Sequence, residues 1–291
     1  MPDAAPFQNY VIDGTLFYSG VVTSWSWTVV GGPCDQLLGN RSFTLTGQNT
    51  NRLTFHPTLS GDYTVTVTMV TPDGTYTCTF IVHVKGPGVR VELCWDTTGS
   101  SDIDLHVHRS ASTAAWFSGN DDCEYANCKA GNYIPPFITG AEWGYASSPL
   151  SECSGAPEGA IWTNFVGNCH NPRLDIDNIA TVGIPENINV DTPRNSDRFR
   201  VMIHYYSGSV TTRPMVNIYC GGNLLGTYGR APDVLDGFNS GSGRAAGQMW
   251  RVVDVTAQVD GNGVTTGCDL QALHPPNQQS GYWLTTNNTS Y

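Results

Sequence analysis

Alternation of apolar and polar residues with a period of two constrains the fold of this chain more than any other feature. Apolar residues alternate with threonines from Tyr63 to Met69, and the same period recurs from Tyr76 to Val84. The tripeptide PDG at 72–74, which has turn composition, separates the two runs. From residue 89 onwards, no window of ten or more residues has the 3.6-residue period of an amphipathic helix. Because this alternation is typical of antiparallel sheets packed on one face, the sequence predicts an all-β fold.

Residues 1–85 are predicted to form a small sandwich, because short strand-like runs recur between turn residues. Three stretches carry a resemblance: SWSW at 24–27, TFHPTLSGDY at 54–63 and DG at 73–74. They resemble motifs of the immunoglobulin-like PKD domain. The resemblance implies an immunoglobulin-like sandwich, and such domains serve mostly as spacers or adhesive modules of secreted proteins.

The stretch KGPG at 85–88 is predicted to link this domain to a second one at 89–291. A larger β-sandwich of jelly-roll or C2-like type is predicted there from strand-like runs at 89–95, 103–107, 199–206, 215–220, 248–259 and 282–286. Between about 109 and 173 the chain lacks a regular pattern and holds four cysteines. Long irregular stretches in compact domains are usually functional or covalently held, so we expect an insertion fixed by disulfides.

The nine cysteines of the chain include no C-x2-C pair, the spacing typical of thiolate metal sites. Disulfide bonds are therefore favoured, which indicates an oxidising compartment. Nine is an odd number, so one thiol is left free or pairs between chains. Sequence alone does not determine the connectivity. The simplest set is Cys34–Cys78, Cys123–Cys128, Cys153–Cys169 and Cys220–Cys268, with Cys94 left over.

Two acidic motifs carry the densest polar chemistry. In DIDLHVH, residues 102–108, strand alternation places both aspartates and both histidines on one face. A second DID motif at 175–177 precedes GIPEN at 183–187. Clustered carboxylates repel unless they are solvated or neutralised, and oxygen donors of this kind suit Ca²⁺. The predicted calcium ligands are Asp96, Asp102, Asp104, Asp175 and Asp177, with Asn178 or Glu186 completing the set. The alternative is that these aspartates cap turns of their own backbone.

The same motifs resemble a family of secreted or periplasmic bacterial β-sandwich proteins, largely of unknown function. Its pattern, W…D-x-D-L-H-V…D-N…G-P-E-N-I…Y-x-V-x-V-x-Y, corresponds here to Trp95, DIDLHV at 102–107, DIDN at 175–178 and the run at 199–206. The resemblance implies an exported β-sandwich and names no substrate. This chain departs from the pattern at Ile184, which interrupts the G-P-E-N motif, and in its cysteine-bearing insertion.

Histidines offer a second kind of metal site. His106 and His108 alternate on one strand, and His204 lies on a strand that is a candidate neighbour. Catalytic zinc needs three protein ligands and an open position, so these three predict a metal-dependent hydrolase as one alternative. Exposed or hydrogen-bonded histidines are the competing interpretation. The chain has no G-x-S-x-G nucleophile motif, and the main prediction is a protein without catalytic activity.

Aromatic residues in the insertion suggest another alternative, a carbohydrate-binding module of an exported glycan-degrading system. Sugar sites combine aromatic faces with polar side chains, and loops often carry such sites. The candidate ligand-binding residues are Trp116, Trp143, Trp162 and Tyr133. The competing interpretation is that these rings cover small cores held by disulfides.

Charge and hydropathy exclude two classes of partner. The net charge is −11, and the only lysines are Lys85 and Lys129, so nucleic acid is not an expected partner. No apolar run is long enough for a transmembrane helix. The first residues, MPDAAPF, lack the basic and apolar regions of a signal peptide, so we expect a mature or trimmed chain. The sequence thus predicts an extracellular, cell-surface or periplasmic binding or structural protein. Its expected partner is a cell-surface or matrix component, with glycans among the candidates, and its oligomeric state is left open.

Overall fold

The computed structural model describes residues 3–32, 43–97, 101–129, 140–148, 169–179 and 185–291. Regular structure in these ranges consists of antiparallel β-strands and one short 3-10 helix, Gly14–Leu16. The all-β prediction is therefore confirmed. Within the same ranges, no helix is long and apolar enough to cross a membrane. By its internal contacts the chain divides into two compact units, Met1–Lys85 and Gly86–Tyr291.

The first unit contains two three-stranded sheets, ordered β1-β4-β3 and β2-β5-β6. Its strands are β1 (Tyr10–Asp13), β2 (Ser24–Gly31), β3 (Phe43–Thr46), β4 (Arg52–Pro57), β5 (Gly61–Thr71) and β6 (Gly74–Val84). The apolar residues of β5 are buried at every second position, as the alternation predicts. Phe55 and Tyr63 pack edge-on with ring centroids 5.1 Å apart. The Tyr63 hydroxyl donates a hydrogen bond to the Leu59 carbonyl at 3.0 Å, which fixes the chain at the entry to β5.

Cys78 does not form the predicted disulfide. Its side chain packs half-buried against the core of this unit, but its thiol is free. The predicted pairing of Cys34 with Cys78 is therefore wrong, and Cys34 lies outside the described residues. The physical reason lies in β6, whose side chains are buried in the core only near the end of the strand, at Val82 and Val84. Val82 and Val84 are buried, whereas the preceding half of the strand is exposed or half-buried.

The second unit contains a five-stranded sheet ordered β10-β11-β7-β13-β14 and a six-stranded sheet ordered β16-β15-β12-β8-β9, in which β17 also pairs with β15. Its strands are β7 (Val89–Trp95), β8 (Ser101–His108), β9 (Asp122–Cys123), β10 (Arg173–Ile176), β11 (Glu186–Val190), β12 (Arg198–Gly208), β13 (Pro214–Cys220), β14 (Asn223–Tyr228), β15 (Met249–Val259), β16 (Thr265–Ala272) and β17 (Trp283–Thr285). Apolar residues from both sheets form one buried core, which defines a sandwich.

Disulfide bonds hold this unit at several points. The predicted pairs Cys123–Cys128 and Cys220–Cys268 are both present. Cys94 and Cys169 are disulfide-bonded as well, so the expectation that Cys94 is left over is wrong. Cys153, the predicted partner of Cys169, lies outside the described residues.

Strand β8 positions the polar motif that the sequence singled out. Ile103, Leu105 and Val107 point into the sandwich core, so the aspartates and histidines between them lie on the opposite face. In the antiparallel pairing of β8 with β12, His204 lies directly opposite Asp104. Because directly paired residues have adjacent side chains, this register brings a third histidine to the motif.

Candidate metal centre

Two groups of buried ligand atoms meet at Asp104. The first is an oxygen set, the carboxylates of Asp104, Asp177 and Glu186, with ligand atoms within 4.8 Å of one another. The second is a mixed set, Asp104 with the imidazoles of His106 and His204, within the same distance. All five side chains are buried, so the two sets form one continuous centre beneath the surface.

The edge of β8 explains how the oxygen set forms. Strand β9 pairs with β8 at Val107 and His108, and the described residues place no neighbouring strand beside the earlier part of β8 on that side. The backbone N–H of Leu105 donates instead to Glu186 Oε2 at 2.7 Å. The backbone N–H of Asn178 donates to Glu186 Oε1 at 3.2 Å. Glu186 is thereby held with both oxygens oriented, next to Asp104.

A cavity of about 300 Å³ opens onto two members of the oxygen set, Asp104 and Asp177. Its lining residues are Asp102, Asp104, Tyr125, Lys129, Asp177, Ile179 and Tyr206. The Lys129 ammonium donates to Asp177 Oδ2. Two buried oxygens, Asp102 Oδ1 and Asp104 Oδ2, have no hydrogen-bond partner among the described residues. Buried polar atoms are almost always satisfied, so these two acceptors lack a donor or a cation.

Burial dominates the electrostatics of the carboxylates. Burial, with repulsion from Asp104 and Asp177, raises the pKa of Asp102 to about 8. Burial also raises the pKa of Asp104 to about 8, although nearby His106 favours its charged form. Burial and the same two aspartates, Asp104 and Asp177, hold the pKa of Glu186 well above its ordinary value. Without a cation, this cluster therefore retains protons at neutral pH.

The two imidazoles of the mixed set are each fixed through one nitrogen. His106 Nδ1 lies 2.9 Å from Asp122 Oδ2, and His204 Nε2 lies 2.5 Å from the Ala246 carbonyl. Their other nitrogens, His106 Nε2 and His204 Nδ1, have no hydrogen-bond partner among the described residues. Burial, together with neighbouring His106, lowers the pKa of His204 to about 4. Burial alone would lower the pKa of His106, but the Asp122 carboxylate raises it above its ordinary value.

Asp122 and Glu124 complete the surroundings of the mixed set, and sequence reasoning missed both. Asp122 Oδ2 also accepts the backbone N–H of Phe117 at 2.8 Å. Glu124 Oε1 accepts a hydrogen bond from Arg244 Nη2 at 2.7 Å. The sequence does show an acidic residue on each side of Cys123, which could have marked these two as candidate site residues. Only the pairing of β9 with β8 brings both residues close to the histidines.

Two of the predicted calcium ligands lie elsewhere. Asp96 accepts the backbone N–H of Arg213 at 2.8 Å and pairs with its guanidinium. Asp175 is buried against Arg173, whose Nε lies 2.7 Å away. The sequence placed Asp175 and Asp177 on one face, but the register of β10 against β11 shifts between Leu174 and Ile176 and breaks the alternation.

Of the predicted ligands, the structure brings together Asp102, Asp104, Asp177 and Glu186. Asn178 contributes its backbone N–H to Glu186. His108 lies outside the mixed set: its Nδ1 is 3.2 Å from the Arg109 carbonyl and its Nε2 is 3.1 Å from the Ala114 carbonyl. Asp104 takes the place that the sequence assigned to His108.

The aromatic candidates for sugar binding are not exposed where they are described. Trp116 is 2% exposed and Trp143 is 7% exposed, so neither ring offers a face to a sugar. Trp143 Nε1 also donates to the Asn120 carbonyl at 2.7 Å. Trp162 and Tyr133 lie outside the described residues.

Comparison with known proteins adds no assignment. No family model, curated protein or solved structure matches the chain. The function is therefore inferred from the fold and from the geometry of the metal centre.

Proposed function

We propose that this chain is a non-catalytic binding or structural protein outside the cytoplasm, and that its second unit binds Ca²⁺. The ligands are the carboxylates of Asp102, Asp104, Asp177 and Glu186. The observation that carries the proposal is the proximity of these buried groups beside one cavity, which Asp102, Asp104 and Asp177 line. Asp102 Oδ1 and Asp104 Oδ2 have no hydrogen-bond partner within the described ranges.

The chemistry of the oxygen set favours Ca²⁺. With Asp102 added, four carboxylates lie near the ammonium group of Lys129, so the ionised cluster has a large negative excess. Ca²⁺ takes six to eight oxygen ligands in flexible geometry and readily retains water. A cavity of about 300 Å³ has room for several water ligands beside the protein carboxylates.

The position of the ligands gives the cation a structural role. Asp104 belongs to the six-stranded sheet, whereas Glu186 begins a strand of the five-stranded sheet. A cation held by both crosslinks the two layers of the sandwich. Removal of the cation leaves the buried carboxyls without a counter-ion, and they take up protons instead. The sandwich is therefore expected to be less stable in a chelator.

Two further observations support an exported protein with a binding or structural role. The second unit is held by Cys123–Cys128 and Cys220–Cys268, and disulfides persist mainly in oxidising compartments. In the first unit, the hydrogen bond from Tyr63 to the Leu59 carbonyl is similar to the tyrosine corner of immunoglobulin-type sandwiches. This supports the PKD resemblance and a spacer or adhesive role towards a cell-surface or matrix component, glycans included.

Thermal unfolding with EDTA and then with added Ca²⁺ tests the calcium site. A ligand at one hundred times its Kd stabilises the native state by about 2.7 kcal/mol. For a unit of this size, that raises the Tm by about 5–10 °C. Asp177→Asn is expected to abolish the shift. Asp96→Asn is the matched control, because its carboxylate lies outside the oxygen set, and it should retain the full shift.

The result in the wild-type protein decides the proposal. Calcium outside cells is bound by modules with Kd values of about 0.1–1 mM, so the titration extends to about 100 mM. An unchanged Tm across this range contradicts a calcium site. Equal loss of the shift in Asp177→Asn and Asp96→Asn contradicts its location.

A further inference from the structure

The mixed set contains three buried ligand atoms that have no hydrogen-bond partner in the part of the chain that the structure describes. They are Asp104 Oδ2, His106 Nε2 and His204 Nδ1, and each belongs to a residue that is at most 2% exposed. We infer that these three atoms bind a second cation, a transition-metal ion of the Zn²⁺ class, next to the oxygen set. This inference rests on the mixed set alone and does not require Ca²⁺ to bind.

Each imidazole has an outer nitrogen, which is hydrogen-bonded away from the centre, and an inner nitrogen, which belongs to the mixed set. The hydrogen bond of the outer nitrogen determines whether the inner nitrogen carries a lone pair or a hydrogen. A backbone carbonyl only accepts hydrogen bonds, so His204 Nε2 must carry the hydrogen that it donates to Ala246. The neutral ring then has its lone pair on Nδ1, which points into the centre. In the same way, the Asp122 carboxylate fixes the hydrogen of His106 on Nδ1 and leaves the lone pair on Nε2. Metal-ligating histidines typically hold their outer N–H in this manner, often with a carboxylate.

The geometry of the three inner atoms is compatible with one ion. One ligand atom from each of the three residues lies within 4.8 Å of the other two, and His204 Nδ1 is 3.5 Å from Asp104 Oδ2. Ligands that bind zinc at about 2.0–2.1 Å in a tetrahedral arrangement are separated by about 3.4 Å. Small side-chain rotations therefore close the set around a single ion.

Water does not satisfy the ionised form of this arrangement. When Asp104 is ionised and both imidazoles are neutral, all three inner atoms are hydrogen-bond acceptors, and a water molecule has only two hydrogens to donate. At least one acceptor stays unsatisfied in a buried site, which costs about 1–3 kcal/mol. A divalent cation satisfies all three at once.

The donor types select the class of metal. Two imidazole nitrogens and one carboxylate oxygen suit Zn²⁺ and related ions, whereas Ca²⁺ prefers oxygen ligands throughout. The Phe117 ring packs against both imidazoles, with centroids 4.8 Å from His106 and 5.1 Å from His204. This ring excludes water and strengthens the electrostatic attraction between the ligands and the ion.

The charges around the centre agree with two divalent ions. Two basic side chains, Lys129 and Arg244, pair with the cluster. The same centre contains six buried carboxyl groups, those of Asp102, Asp104, Asp122, Glu124, Asp177 and Glu186. When all are ionised, four negative charges remain, and two divalent cations neutralise that number. Asp104 belongs to both sets and is placed to bridge the two ions.

Cobalt substitution tests the second site by a readout that calcium does not affect. Co²⁺ bound by nitrogen and oxygen ligands in a four- or five-coordinate site has intense visible absorption, whereas weakly bound six-coordinate Co²⁺ does not. We expect the purified, EDTA-treated protein to gain these bands with one equivalent of Co²⁺, and Zn²⁺ to remove them by displacement.

Variants separate the two sites. His204→Gln should lose the cobalt bands and keep the Tm shift produced by Ca²⁺, whereas Asp177→Asn should keep the bands and lose that shift. Asp104→Asn should lose both. His108→Gln is the matched control, because His108 lies on the same strand with both nitrogens held by backbone carbonyls, and it should keep both.

Three results overturn the inference. The first is the absence of intense bands in the wild-type protein, which decides the question even if His204→Gln does not fold. The second is retention of the bands in a folded His204→Gln variant. The third is their loss in His108→Gln together with retention in His106→Gln. Failure of the calcium proposal has a different signature, in which the wild-type protein gains the bands but no Tm shift with Ca²⁺.

Discussion

Asp104→Asn is expected to stabilise the metal-free protein while it removes both metal responses. Asp104 is 2% exposed, and burial raises its pKa from an ordinary value of 3.8 to about 8. In the unfolded chain this carboxyl loses its proton above about pH 4, whereas in the folded metal-free protein it keeps the proton to about pH 8. The folded state therefore becomes less stable as pH rises between these two values. Asparagine has a similar shape and no titration, so the variant does not incur this loss.

The magnitude follows from the two pKa values. One pKa unit corresponds to about 1.4 kcal/mol, so a rise from 3.8 to about 8 sets an upper limit of about 6 kcal/mol on the stability lost as pH rises. Repulsion from Asp177 and Glu124 contributes to this rise, and proton uptake by neighbouring Glu186, whose pKa is also raised, reduces the net effect. We expect a gain of about 2–3 kcal/mol for Asp104→Asn at pH 8, which is a Tm increase of about 5–10 °C. At pH 4 the difference should be close to zero.

Thermal unfolding of EDTA-treated protein at pH 4 and pH 8, followed by circular dichroism, measures this effect. Asp236→Asn serves as control, because Asp236 is 71% exposed by its side chain and its ion pair with Arg213 is at the surface. The control should leave the Tm unchanged at both pH values. If Asp104→Asn lowers the Tm at pH 8, Asp104 does not carry an uncompensated buried charge and the reasoning fails.

Three further predictions concern groups around the centre and the disulfides. Asp122→Asn should weaken Co²⁺ binding about 10–100-fold, because the Asp122 carboxylate orients the His106 ring. The Tm shift caused by Ca²⁺ should be unchanged in this variant. An unchanged cobalt titration would contradict the orienting role of Asp122. Replacing Cys220 and Cys268 together by serine opens a loop with a sequence separation of 48 and should lower the unfolding free energy by about 4 kcal/mol, measured by urea denaturation. Cys78 is half-buried and its thiol is free, so it should react with a maleimide in the native protein. Peptide mass spectrometry should find the label at Cys78 in the wild-type protein and no such label in the Cys78→Ser variant. An unlabelled Cys78 in the native wild-type protein would refute the assignment.

Short-range patterns in the sequence predicted a large part of this structure. Strand alternation gave the all-β class and the face shared by Asp102, Asp104 and His106, because each side chain's direction depends only on its own strand. The Cys123–Cys128 disulfide could be predicted for a similar reason, since its two cysteines are five residues apart. In all these cases the interacting groups are close in sequence.

Local patterns failed where the backbone departs from regular pairing. The shift in register between Leu174 and Ile176 separates Asp175 from Asp177, although the DID motif predicted one face for both. Cys78 was expected to form a disulfide, but its strand is exposed over its first half and its thiol is free. A bulge and the extent to which a strand is covered depend on neighbouring strands, which alternation within one strand does not specify.

Only the tertiary structure decided the composition of the metal centre. His204 joins Asp104 through the register of β12 against β8. Glu186 joins by accepting a hydrogen bond from the backbone N–H of Leu105, across a sequence separation of 81. The pairing of β9 with β8 brings Asp122 next to the histidines. Each of these contacts depends on how strands distant in sequence pair and how two sheets pack. The sequence by itself therefore determined which residues have ligand chemistry, and the packing of the sandwich determined which of them meet, because burial and proximity are properties of the whole fold.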